Sequence, residues 1–212
     1  MPCFGETMRA DMKRKLSRRS FLLASAVTTA GATIVTAVPS KARGATASVD
    51  AQSVGPAAVP IVLHVNGQVR KLAVEPRMTL AEALRGPLGL TGTKIGCNRG
   101  ACSACTVWLE GKPVCSCLIL AIEVGSHHVT TIEGLAQADQ LHPVQTAFIE
   151  HDALQCGFCT PGMLMSCAAL LESNPHPNAE EVQTAISGHA CRCGTYPHVV
   201  SATLAAAKLR RA

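Results

Sequence analysis

Three cysteines stand within nine residues in CNRGACSAC, residues 97–105, and eight more are spread over the remainder of a 212-residue chain. No other feature limits the fold as tightly. Thiols at such uneven spacing must form disulfides, bind zinc, or hold some other sulfur-bound metal group. In each case the backbone around them has to wrap what they hold.

The compartment matters to that choice, and the chain opens like an exported protein. A basic region ends in Ser17-Arg18-Arg19-Ser20-Phe21-Leu22-Leu23, and an uncharged stretch runs from Ser20 to Ser40. Lys41 and Arg43 follow, then Ala45-Thr46-Ala47, which suits cleavage beside small residues. The arginine pair followed by Ser-Phe-Leu resembles a twin-arginine signal. A stretch of this length can also span a bilayer. Its four threonines and one glycine make it only mildly apolar, so a cleaved signal over 1–47 and a periplasmic destination are expected. The twin-arginine route carries folded proteins, which suits thiols loaded with a cofactor before export.

The leader also explains the charge. Of the net +5, residues 1–47 hold eight Lys/Arg against two Asp/Glu, and residues 48–212 hold eleven against twelve. The part that folds is therefore nearly neutral, which excludes a nucleic-acid-binding face. Its cores are poor in aromatics, with one Trp, one Tyr and four Phe in the whole chain. Such cores often lean on a metal or a partner surface.

Residues 48–60 are rich in Ala, Pro, Gly and Ser and read as a linker. In IVLHVNGQVRKLAV, residues 61–74, two apolar runs flank Asn66-Gly67, a strong hairpin signal. Thr79 with Glu82 forms a capping-box pattern, and Gly86-Pro87 ends that short helix. Thr106 to Leu109 reads as a strand, followed by a turn at Glu110-Gly111-Lys112 and a segment holding Val114 to Leu120. The pattern changes between Gly134 and His142. Helices are then expected from Pro143 to His151, from Thr160 as cap with Pro161 at the first helical position to Ser173, after an Asn178 cap with Glu181, and from Pro197 to Leu209. This gives an α+β chain: a strand-rich domain over 61–136 and an all-α bundle of about four helices over 137–212, each with its own cysteines.

The first set is Cys97, Cys102, Cys105 and, after eleven residues, Cys117. C-x4-C-x2-C…C is the spacing of plant-type [2Fe–2S] ligands. Four thiolates must converge on a compact core, so one loop wraps it. Gly96 and Gly100 let the backbone come close and adopt positive φ, and inward-pointing amides can then bond to sulfur. The second set is Cys156, Cys159, Cys191 and Cys193, placed where helices begin and end. Helix N-termini favour thiolates.

Disulfides are the default for exported cysteines, but Cys-x-Cys and Cys-x2-Cys neighbours pair poorly with each other. Zinc would accept Cys102/Cys105 with Cys156/Cys159 and would leave Cys97, Cys117, Cys191 and Cys193 without a task. Two iron–sulfur clusters use eight thiols, four within each domain. Cys3 leaves with the leader, Cys167 reads as a small buried hydrophobe, and Cys115 competes with Cys117.

GCNRGACSACTVWLEGKPVCSCL and QCGFCTPGM…CRCG together resemble the small iron–sulfur subunit of molybdenum hydroxylases, the xanthine oxidase family, over about residues 60 to 210. The resemblance implies a plant-type ferredoxin-like β-grasp domain followed by a four-helix bundle. It implies one [2Fe–2S] cluster on Cys97, Cys102, Cys105 and Cys117, and another on Cys156, Cys159, Cys191 and Cys193. Cys117 is preferred to Cys115 because the family's fourth ligand precedes a leucine, as in Ser116-Cys117-Leu118. Gln155 matches a glutamine that hydrogen-bonds the molybdopterin. Molybdopterin cytosine dinucleotide is expected on a large partner subunit and FAD on a medium one. The chain would pass electrons through its two clusters to the flavin subunit or another acceptor, with no catalytic residues of its own.

The leader narrows the expectation to a periplasmic aldehyde oxidoreductase. A nitrogen-heterocycle hydroxylase of the isoquinoline type and a free-standing exported ferredoxin are the alternatives. No nucleophile–base pair or phosphate loop competes, and the adjacent His127 and His128 read as exposed polar residues. Two positions depart from the family pattern. Ser103 stands where glycine is frequent, and Gly194-Thr195 has the less usual order after Cys193.

Overall fold

The computed structural model describes residues 55–137 and 140–209. The expected leader, its expected cleavage site and the first part of the expected linker lie outside the described residues.

Strand β1 (Val59–Val65) and β2 (Gln68–Val74) form the expected hairpin, in register from Val59↔Val74 to Val65↔Gln68. Asn66 and Gly67 sit at φ +52° and +73°, the left-handed pair that a tight two-residue hairpin loop requires. β1 starts at Val59, so the last two residues assigned to the linker are strand. Helix α1 (Leu80–Arg85) opens with both bonds of the Thr79/Glu82 capping box and ends at Gly86. β3 (Thr106–Leu109) and β4 (Lys112–Cys115) form a second hairpin whose loop is Glu110-Gly111, again with both residues at positive φ. Short 3-10 turns at Ser116–Leu118 and Ala121–Glu123 lead to β5 (His128–Thr130). The sheet order is β2-β1-β5-β3-β4, with β1 and β5 parallel and the other neighbours antiparallel. Pro113 lies in the edge strand β4, where the lack of an N–H costs no ladder bond. Leu63, Val65, Leu80, Leu84, Val107, Val124 and Val129 fill the space between sheet and helix.

The second half is helical. α2 (Pro143–Glu150) packs against α5 (Tyr196–Leu209), while α3 (Thr160–Ser173) touches α2, α4 (Ala179–Ile186), α5 and strand β3. α3 is buried on most sides, which explains why TPGMLMSCAALLES carries almost no charge. Asn178 and Glu181 make the expected capping box on α4. Two ends differ from the sequence reading. Thr160 is the first helical residue rather than the cap; Cys159 holds the cap position without a side-chain cap bond. α2 is capped by His142, whose Nδ1 accepts from the Val144 amide while Gln145 Oε1 accepts from the His142 amide. Histidine is not a preferred cap, so the sequence did not advertise it.

Candidate metal centres

The β3–β4 hairpin explains how the first set of thiols meets. Thr106 pairs with Cys115, so Cys105, just before β3, lies opposite Ser116, just after β4. Ser116 locks this crossing: its buried hydroxyl and its amide both donate to the Cys105 carbonyl, at 2.6 and 3.3 Å. The Cys117 thiol, one residue on, shares a hydrogen bond with the Cys105 thiol. Helix α1 closes the site from behind, since Leu80 N–H donates to Ile119 O and Ala81 packs on Cys105 and Cys117.

The loop 97–105 then folds over these two thiols. Gly100 N–H donates to Cys117 Sγ at 3.3 Å and Ala101 N–H to Cys97 Sγ at 3.2 Å. Gly100 lies at φ +71°, and a Cβ on Gly96 would stand 3.1 Å from Cys102 Sγ. Cys97 shares a hydrogen bond with Cys102; with the Arg99 amide as the largest cause, its thiol is lowered to about 7. Burial, then the bond with Cys105, pushes Cys117 up. The first set is thus two thiol pairs, Cys97 with Cys102 and Cys105 with Cys117, with main-chain amides on the sulfurs of Cys97 and Cys117. Cys115 packs on the cluster of Ala81, Cys105 and Cys117, and its sulfur stands 3.8 Å from the Ser103 hydroxyl.

Ser103 lies at φ +53°, a left-handed conformation that costs serine more than glycine. Relieving it is worth about 1 kcal/mol, partly offset by the extra chain entropy of glycine. We expect Ser103→Gly to raise the thermal midpoint by up to about 3 °C, read by differential scanning calorimetry. A fall would mean that the hydroxyl contacts outweigh the strain.

The second set assembles at two helix starts. Cys156 and Cys159 precede α3, and Cys191 and Cys193 precede α5. Cys159 shares a hydrogen bond with Cys191, and Cys156 with Cys193. Burial and the Cys191 neighbour drive Cys159 up to about 12. Burial also pushes on Cys191, but the Thr195 hydroxyl, at 3.4 Å from Sγ, and the amides of Thr195 and Cys193 overcome it and bring the thiol to about 7. Tyr196 clamps the same loop: its hydroxyl accepts from Cys191 N–H at 2.7 Å and donates to His189 O at 2.9 Å.

The two sets are joined. Ala190 N–H, next to Cys191, donates to the carbonyl of Cys102 at 3.2 Å. Trp108 of β3 donates its indole N–H to Met165 O in α3 at 2.8 Å. Gly162 of α3 leaves room for the 103–104 backbone, since a Cβ there would lie 2.4 Å from Ser103 O.

The remaining sequence candidates fall as follows. All ten described cysteines are free thiols. Cys167 is fully buried in α3 and driven to about 12 by that burial. Gln155 is exposed beside Cys156. His127 and His128 are exposed; His127 Nδ1 stands 3.5 Å from Glu110 Oε1, and the His128 ring faces that of His64. Sequence reasoning missed His189, buried with Nε2 at 2.8 Å from the Ser166 hydroxyl and lowered by burial to about 4. Nothing in its local pattern marks it, because its partners come from α3 and α5.

Thiol pairs Cys97–Cys102, Cys105–Cys117, Cys159–Cys191 and Cys156–Cys193, with amides and a hydroxyl beside sulfur, are a donor set that suits [2Fe–2S] clusters. Among the described residues no three of these side chains already close on one metal position. The comparisons agree. Residues 63–139 match the family model of the 2Fe-2S iron-sulfur cluster binding domain, and residues 131–204 that of the [2Fe-2S] binding domain. The fold and its matched domains define a carrier of two [2Fe–2S] clusters. The aldehyde oxidoreductase iron-sulfur-binding subunit of Escherichia coli (strain K12) is 41% identical over 202 residues, covering 88% of this chain and 86% of its own. The nicotine 6-hydroxylase small subunit of Paenarthrobacter nicotinovorans is 49% identical over 146 residues, 69% of this chain and 88% of its own. The crystal structure of quinoline 2-oxidoreductase from Pseudomonas putida 86 superposes with a TM-score of 0.70 at 45% identity, covering 73% of this chain and 96% of the matched one. The chain belongs to the iron–sulfur small subunits of the molybdenum hydroxylases. Its role is electron transfer within an oxidoreductase.

Proposed function

We propose that the chain is the iron–sulfur subunit of a periplasmic aldehyde oxidoreductase. Cys97, Cys102, Cys105 and Cys117 would hold one [2Fe–2S] cluster, and Cys156, Cys159, Cys191 and Cys193 the other. The observation that supports this is the pairing of Cys97 with Cys102 and Cys105 with Cys117 in one half, and of Cys159 with Cys191 and Cys156 with Cys193 in the other. The bound clusters supply one-electron storage at each site. The chain's own residues fix the rest: the amides of Gly100 and Ala101 steady two sulfurs, Ser116 holds the hairpin crossing, and Tyr196 holds the Cys191 loop.

The aldehyde reading rests on the long match to the Escherichia coli subunit, which covers 88% of this chain. The nicotine and quinoline relatives match about 70% of it and supply the second reading, hydroxylation of a nitrogen heterocycle. Gln155 would meet a pterin carried by a large molybdenum subunit; its exposure beside the exposed Cys156 supports this. A flavin subunit or another acceptor would take the electrons. The twin-arginine pattern supports export of the folded chain.

One experiment tests the set. The complex is purified from the periplasmic fraction, reduced with dithionite and studied by electron paramagnetic resonance, with iron and molybdenum analysis. Two distinguishable [2Fe–2S] signals, molybdenum in a co-purifying larger chain, and turnover of aldehydes in preference to heterocycles are expected. An iron-free complex containing zinc or cystine bridges overturns the cluster assignment, and a cytoplasmic complex overturns the localisation.

A further inference from the structure

The Gly-Thr order after Cys193 is the departure that the ligand assignment leaves unexplained. We infer that Thr195 is a potential-setting residue: its hydroxyl donates a hydrogen bond to the Cys191 sulfur and raises the reduction potential of the bundle-domain cluster. This rests on the ligand assignment proposed above.

Thr195 Oγ1 stands 3.4 Å from Cys191 Sγ. A cysteine bound to iron is a thiolate with no proton, so the hydroxyl must be the donor. Thr195 is 8% exposed, so the bond is shielded from water and acts at a low local dielectric. A donor aimed at ligand sulfur stabilises the reduced cluster, which carries the extra negative charge, more than the oxidised one. The residue order sets the geometry. Gly194 takes φ +75° immediately after Cys193, turning the chain so that the next side chain falls back on Cys191. In the reverse order a threonine would occupy the strained left-handed position, and its hydroxyl would start from a different backbone site.

Apart from neighbouring thiols, which lose their protons on binding iron, the remaining donors on Cys191 are the amides of Thr195 and Cys193, and those at Cys97 and Cys117 are also main-chain groups. The Thr195 hydroxyl can be deleted by a side-chain change alone. A threonine directly before a helix commonly serves as its cap. That role would affect the stability of α5 and leave a redox midpoint where it is.

The test is a redox titration, followed by electron paramagnetic resonance, of the assembled oxidoreductase carrying Thr195→Val, which keeps the shape, and Thr195→Ser, which keeps the hydroxyl. In the valine protein the bundle-cluster equilibrium is expected to move about tenfold toward the oxidised form, 59 mV for one electron. The ferredoxin-domain midpoint and the iron content stay put, and the serine protein titrates like wild type. Unmoved midpoints in a fully loaded valine protein overturn the inference and leave Thr195 a helix cap. If valine costs the protein its iron, Thr195→Ala carries the same reading. Absence of the bundle signal from the wild-type complex instead refutes the ligand assignment, so the two failures are distinct.

Discussion

Cys156→Ser in the assembled oxidoreductase is expected to abolish one of the two iron–sulfur signals and to reduce turnover to background with any electron acceptor. Serine keeps the size of the side chain but replaces a soft thiolate by a hard, weakly acidic oxygen, a poor match for an iron–sulfide core. Cys156 is exposed and shares a hydrogen bond with Cys193, so the change leaves the packed interior alone. The loss should therefore be confined to the bundle half. Iron per chain falls, the signal assigned to Cys97, Cys102, Cys105 and Cys117 survives, and the thermal midpoint of the ferredoxin half changes little. Loss with every acceptor is the informative part, because a cluster that lay off the route would leave some acceptor served. Normal steady-state rates in a protein proven to lack that cluster would sink the conduction role.

Gly162→Ala is expected to damage both halves at once. A single added methyl at the start of α3 would stand 2.4 Å from the Ser103 carbonyl oxygen and 3.2 Å from Ala104 Cα. Neither atom belongs to a flexible side chain, so α3 or the loop between Cys102 and Cys105 must move. Overpacking of this kind costs about 1–3 kcal/mol. The shift is delivered to a segment that carries two thiols of one set and, through Ala190 and Cys102, touches the other. The measurement is iron content together with the unfolding midpoint. Both should fall, with ferredoxin-domain iron lost first. An alanine protein with wild-type iron and midpoint would show that the seam is looser than its distances indicate.

The local devices were legible. Asn66-Gly67 gave the hairpin, Thr79/Glu82 and Asn178/Glu181 gave two capped helix starts, and the strand at Thr106 to Leu109 fell on its observed bounds. Each is written within a few residues, where propensity and short-range hydrogen bonds decide. Spacing within a loop limits which sulfurs can meet, and Cys97 does pair with Cys102 and Cys105 with Cys117. Ser103 was legible as a departure from a frequent glycine, and the backbone there adopts the positive φ that glycine tolerates best. The Thr160 cap was misread because the sequence weighs side-chain types, whereas the thiol before α3 is held among other sulfurs and leaves the cap position without a side-chain bond. His142 as a cap, buried His189 and the fit of Gly162 on Ser103 could not be seen. Each depends on an uncommon residue choice or on partners more than twenty positions away.

The chain's single indole lies where strand β3 meets helix α3, with its N–H fixed on Met165. That position makes the molecule optically self-reporting. Ultraviolet emission from Trp108 comes from the boundary alone and carries no background from a second fluorophore of its kind within the chain. Separation of the halves would wet the indole and red-shift its emission while far-ultraviolet dichroism still registered intact helices. A lag between the two signals on heating would reveal whether the halves come apart before either one melts.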